Sequence, residues 1–168
     1  MKCLLFLFFV TFSTLASANS DLIGAWSMCD QDNENFDYEH VVEFRLKGVE
    51  DELHAFRLKS DKPCGGKILS VISRKWSYKT GHGTYKSVLK NTYAMVLQER
   101  LVSEFNNMNL CDTKAWVKDK LVDCTKNFLP EFEDKVGLKT SHSYVRKDNQ
   151  LLVMPKTGDT VIYNKLNF

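Results

Sequence analysis

The chain has 168 residues, 43% of them apolar and 26% charged, with 23 lysines and arginines against 21 aspartates and glutamates. So even a balance gives no electrostatic footprint for nucleic acid or an anionic membrane surface, and the apolar share is ample for a folded core. Five cysteines in a chain of this length make the redox compartment the first question.

The N-terminus reads "MKCLLFLFFVTFSTLASANS". Lys2 precedes an apolar run from Leu4 to Val10 that continues more weakly to Leu15, and "ASA" then offers small residues at the positions a signal peptidase reads. This predicts a signal peptide over 1–18 and an exported protein, secreted or periplasmic. The run is shorter than the roughly 20 apolar residues of a spanning helix, and no later segment approaches that length, so no membrane span is expected. Cys3 lies before the apolar run, is not placed to carry a lipid anchor and leaves with the signal. Residues 19–168 remain, with one basic residue fewer once Lys2 is gone, and form one domain with a core of its own.

Cys29, Cys64, Cys111 and Cys124 are then four cysteines in an oxidising space, which reads as two disulfides with three connectivities open. No pair has C-x2-C or C-x4-C spacing, and none of His40, His54, His82 and His142 stands at ligand spacing from another, so no metal is expected. A thioredoxin-like site would need C-x-x-C, which is absent from the sequence.

Along the chain the period of two dominates. "LIGAWSMC" (22–29) predicts a first strand broken by Gly24, and in "EHVVEFRLKG" (39–48) Val42, Phe44 and Leu46 alternate with Glu43 and Arg45. "GVEDE" is expected to turn the chain, with "VEDE" (49–52) a solvated hairpin tip rather than a calcium loop, since the D-x-D-x-D-G pattern is missing. Strands follow over 53–61 and 67–80, then the glycine-flanked turn "GHGT" (81–84) and two strand-like stretches, "YKSVLKN" and "TYAMVLQ". In "LQERLVSEFNNM" Leu97, Leu101, Val102 and Phe105 fall at helical spacing, which predicts one short amphipathic helix. "NFLPEFEDK" is irregular, and "HSYVRKDNQLLVMPKTGDTVIYNKL" predicts a closing β-meander. Eight to ten short strands with one helix point to a mainly β fold, an antiparallel barrel closed to remove its edges; a β-sandwich is the alternative.

"LIGAW" resembles the opening strand of lipocalins and other calycin barrels. Read in order with Cys64 after "SDKP", then "ISRKWSY", the helix, "NLCDTKAW" and "DKLVDC", the stretch from Leu22 to about Cys124 resembles one repeat of the extracellular adenomatosis polyposis coli down-regulated family, secreted or membrane-tethered Wnt inhibitors. That family carries two repeats and often an anchor, whereas this chain has room for one. The resemblance implies a lipocalin-like barrel with an apolar cavity able to hold an acyl chain, the pairings Cys29–Cys64 and Cys111–Cys124, and, from the single copy, a homodimer. Wnt antagonism itself does not carry over.

The first functional expectation is therefore a barrel binding a hydrophobic small molecule or lipid, above all a fatty acyl chain or a lipidated protein, as carrier, sequestering agent or recognition module. Phe44, Phe56 and Trp76, in mid-strand of long strands, are the expected ligand-binding residues, and Trp26 is expected to be a structural plug. The alternative is a disulfide-braced protein-interaction or inhibitor module with a filled barrel. There is no G-x-S-x-G elbow, no H-E-x-x-H, no phosphate loop and no dinucleotide fingerprint, and His82 between two glycines has no nucleophile or carboxylate beside it in sequence. Neither catalysis nor a cofactor is expected.

Overall fold

The structure, a computed structural model, describes residues 21–126 and 135–167. The expected signal peptide and most of the irregular "NFLPEFEDK" lie outside the described residues. The described residues form nine strands: β1 (Gly24–Asp30), β2 (Phe36–Arg45), β3 (Val49–Leu58), β4 (Ile68–Gly81), β5 (Thr84–Val96), β6 (Leu121–Asp123), β7 (Lys139–Lys147), β8 (Gln150–Pro155) and β9 (Val161–Lys165). The one α-helix among the described residues, α1 (Glu99–Asn107), follows β5.

Eight of these strands close a barrel. Each pairs antiparallel with its neighbour from β1 through β5, β5 pairs with β7, and the meander β7–β8–β9 returns to β1 through Trp26↔Lys165 and Ser27↔Asn164. β6 adds a short flap on β5, from Tyr93↔Asp123 to Met95↔Leu121. This is the mainly β, lipocalin-like calycin-type barrel with one short helix that the sequence predicts, and its single closed sheet sets aside the sandwich. Closure leaves no long unpaired edge for another chain to extend.

Two local features set which side chains face inward. The β2–β3 turn is the three residues Leu46, Lys47 and Gly48, the last two at positive φ (70° and 72°). A Cβ on Gly48 would stand 2.5 Å from the Tyr78 carbonyl oxygen, so the position admits only glycine. The expected turn over "GVEDE" is thereby corrected: β3 already begins at Val49, and Glu50 and Glu52 become alternate strand residues that point into the barrel instead of tipping a solvated hairpin. The second feature is a bulge. Lys75 pairs with Asn91 but Trp76 with Leu89, leaving Lys90 as an extra residue in β5. The bulge lets Tyr85, Ser87 and Leu89 face the interior on one side of it and Thr92, Ala94 and Val96 on the other.

The interior is layered. One end is packed by Leu22, Trp26, Phe44, Tyr78, Tyr144 and Leu151, with the Trp26 Nε1–H donating to the Leu22 carbonyl at 3.0 Å and the Arg146 guanidinium 5.6 Å from its ring. Trp26 is fully buried, the plug expected of it. The other end is capped by the segment between β5 and β7, where Leu101, Val102 and Phe105 of α1 pack with Leu110 and Trp116 against Ile72, Ala94 and Val96. Trp116 anchors that cap. Its Nε1–H donates to the Leu110 carbonyl at 3.1 Å, its ring meets Phe105 edge to face, and the Asn106 side chain brackets its backbone N–H and C=O at 2.9 and 3.2 Å.

The disulfides are Cys29–Cys64 and Cys111–Cys124, the pairing that the family resemblance implies. The first ties the end of β1 to the β3–β4 connection, where Asp37, fully buried, accepts the Cys64 N–H at 3.1 Å and faces Lys59 at 3.3 Å. The second closes the cap on itself, so "CDTKAWVKDKLVDC" is a stapled lid segment and both its cysteines are structural.

Candidate functional site: a polar layer inside the barrel

Between the aromatic end and the cap lies a layer of charged and polar side chains. Strand alternation places it there: Tyr38, His40 and Val42 of β2, Glu50, Glu52 and His54 of β3, and Arg74 and Trp76 of β4 are each two residues apart and share the inner face. Antiparallel register then sets them opposite one another, His40 against His54, Val42 against Glu52, Glu52 against Arg74 and Glu50 against Trp76.

Glu52 is the hub. Its carboxylate lies 2.7 Å from His40 Nε2, 3.3 Å from His54 Nε2 and 3.6 Å from Arg74, and it accepts the Trp76 Nε1–H at 2.8 Å. Burial on its own would push this carboxyl up, but the two histidines beside it outweigh burial and hold Glu52 well below the usual carboxylate range. His54 moves the other way: burial lowers its pKa, and the neighbouring Glu52 restores only part of the loss, so at neutral pH the ring is uncharged. Its Nδ1 meets the Tyr38 hydroxyl, and its Nε2 lies 3.0 Å from Arg74. A guanidinium can only donate, so Nε2 of neutral His54 meets it as an acceptor and the ring proton sits on Nδ1. His40 Nδ1 bonds the Tyr163 hydroxyl at 2.9 Å.

Glu50, one inward position from Glu52, is pushed up to about 8, chiefly by burial and also by the Glu52 charge, against a Ser87 hydroxyl that donates to it at 2.5 Å. The layer therefore holds one carboxylate and one neutral carboxyl at pH 7, the division expected when two acids share a buried site.

A cavity of about 240 Å³ opens onto this layer, lined by His40, Glu52, Arg74, Trp76, His142 and Tyr163 among others. The barrel can thus enclose a small ligand, in surroundings that are polar on the β2–β4 side. Of the three aromatic residues expected at a ligand wall, Trp76 lines the cavity. Phe44 lies in the packed aromatic end, edge to face with Tyr78 and Tyr85, and Phe56 packs against Phe36 and Tyr38 near the capped end. The polar residues that line the cavity were missed by sequence spacing, because His40 and His54 stand fourteen positions apart and meet only through the β2–β3 register.

On the outside, the strands β4, β5 and β7 carry a second feature. Lys79 pairs with Lys86, Lys86 with Ser141, and Val88 with Lys139, and these residues line an open cleft of about 640 Å³ together with Lys47 and Lys156. Five lysines thus share one cleft that no acidic residue lines among the described residues. His82, in the β4–β5 turn, is exposed beside Gly83 and Arg146 in a separate shallow depression.

No helix among the described residues is long and apolar enough to cross a membrane. The fold is consistent with a calycin or lipocalin-like barrel, while no protein-family model matches the chain and no curated protein matches it.

Proposed function

We propose that the protein is an exported, disulfide-braced interaction module whose barrel keeps only a small interior cavity and whose lysine-lined cleft on β4, β5 and β7 engages an acidic surface of a protein partner. The observation that carries this reading is the contrast between inside and outside. The interior cavity, about 240 Å³, falls below the roughly 300–1,000 Å³ of ordinary small-molecule pockets. An acyl chain entering it would also strip water from Glu52 and Arg74 without offering either a partner.

The cleft has the opposite character. Lys47, Lys79, Lys86, Lys139 and Lys156 converge with no carboxylate in its lining among the described residues, in a chain whose total charge is only +2. Like charges gathered in this way raise the local potential, which steers an acidic partner and fixes its orientation more than it adds raw affinity. The two disulfides suit such a role, since they fix the barrel's connections and its cap while leaving the cleft face unencumbered.

The test is affinity capture from the exported protein fraction of the source organism, with wild type and a Lys79→Glu/Lys86→Glu double variant in parallel. An acidic polypeptide held by wild type, released by salt and missed by the charge-reversed variant is the expected result. Capture that ignores both salt and charge reversal, or recovery of a lipid in place of a polypeptide, would overturn the reading.

A further inference from the structure

We infer that His40, Glu52 and His54 form a binding site for a divalent transition-metal ion, with zinc as the simplest occupant. The inference is independent of the lysine cleft and of any partner bound there. One ligand atom from each of the three residues lies within 4.8 Å of the other two, and the group is buried or half-buried inside the barrel. Two imidazoles and one carboxylate are a familiar three-ligand set for zinc when a fourth position stays open, and here His40 and Glu52 line the cavity of about 240 Å³.

Two observations suggest a metal site where hydrogen bonding alone would give an imperfect fit. First, His40 Nε2 lies 2.7 Å from Glu52 Oε1 but off the line of a hydrogen bond, and it has no other hydrogen-bond partner. Second, both rings are held by their far nitrogens, His40 Nδ1 by the Tyr163 hydroxyl and His54 Nδ1 by Tyr38. A hydroxyl accepts as readily as it donates, so both rings can carry their proton on Nδ1 and turn the Nε2 lone pair toward Glu52, the outer-sphere arrangement that orients metal-binding histidines.

Arg74 is the cation resident at this edge, with its guanidinium 3.0 Å from His54 Nε2 and 3.6 Å from Glu52. A divalent ion competes with it for the same lone pair and the same carboxylate. Removing Arg74 therefore strengthens metal binding, which a nonspecific site would not show. His142 lines the same cavity with a buried Nδ1 that has no hydrogen-bond partner, available to a small molecule or water on the open position of the metal.

The experiment titrates zinc into the metal-stripped, oxidised protein by calorimetry. Wild type is expected to take up one equivalent, His54→Ala and His40→Ala to lose at least ten-fold in affinity, Arg74→Met to gain, and the His82→Ala control to match wild type. Zinc X-ray absorption on the wild-type protein, which needs no variant to fold, is expected to report two imidazoles and one carboxylate. Absence of stoichiometric binding to wild type, retention of affinity in both histidine variants, or a coordination shell without imidazole would each overturn the assignment.

Discussion

His40 and His54 lie flat against each other across the β2–β3 pair, with ring centroids 4.3 Å apart and planes 12° from parallel. Two imidazolium ions could not share that spacing inside a barrel without strong repulsion, and the single carboxylate of Glu52, reached by both rings, holds the pair together. Glu52 also faces Arg74. Glu52→Gln would take a carboxylate away from beside that buried guanidinium, and breaking a buried ion pair typically costs about 3–5 kcal/mol. Urea denaturation of the variant should show a loss of this size, and a loss below about 1 kcal/mol would mean that Glu52 is not the electrostatic centre of the layer.

Glu50 titrates in an accessible range, and its sign is fixed. Its ordinary pKa near 4.5 rises to about 8 in the folded protein. The folded state therefore holds the proton more tightly than the unfolded state, so this group's contribution is complete below about pH 4.5, declines as pH rises and is gone above about pH 8. Glu50→Gln keeps a neutral side chain at every pH. The variant is expected to gain on wild type steadily across that window and to run parallel to it above, read from denaturation midpoints at a series of pH values. A constant difference across the window would show that Glu50 ionises normally.

Trp26 has the role of a structural plug, fully buried beneath Arg146 with its indole N–H satisfied by Leu22. Trp26→Ala should cost about 3–5 kcal/mol, the range for removing a large aromatic from a packed core. Binding of an acidic partner at the lysine cleft should survive in whatever fraction remains folded, because Trp26 is not among the residues that line the cleft.

The disulfides divide by loop length. Cys111–Cys124 spans a sequence separation of 13 and Cys29–Cys64 one of 35. On the chain-entropy model these closures contribute about 3 and about 4 kcal/mol. Paired serine substitutions should reproduce that order in urea. The Cys111/Cys124 pair should in addition loosen the cap, seen as faster amide exchange at Trp116 than in wild type, while the β1–β2 ladder stays protected.

The strand period and the cysteine and tryptophan placement carry the barrel, its helix and, through the family resemblance, both disulfides. Leu101, Val102 and Phe105 at helical spacing do pack against the barrel as the pattern implies. The polar layer was hidden for a physical reason. Glu50 and Glu52 belong to an acidic run whose composition reads as a solvated turn, and only the turn at Lys47 and Gly48, one step earlier, sends both carboxyls inward. Likewise, the meeting of His40 and His54 is a property of register, which no local spacing encodes. The lysine cleft is equally nonlocal, assembled from three strands and two connections that lie far apart in sequence.

The most direct measurement is native mass spectrometry of the tagged, oxidised protein isolated from its own source without detergent. The account predicts a mass carrying both disulfides, bound to an acidic polypeptide and free of lipid. An adduct that denaturation releases as a fatty acid or phospholipid, with no polypeptide partner, would contradict it and return the barrel interior to the role of an acyl-chain site.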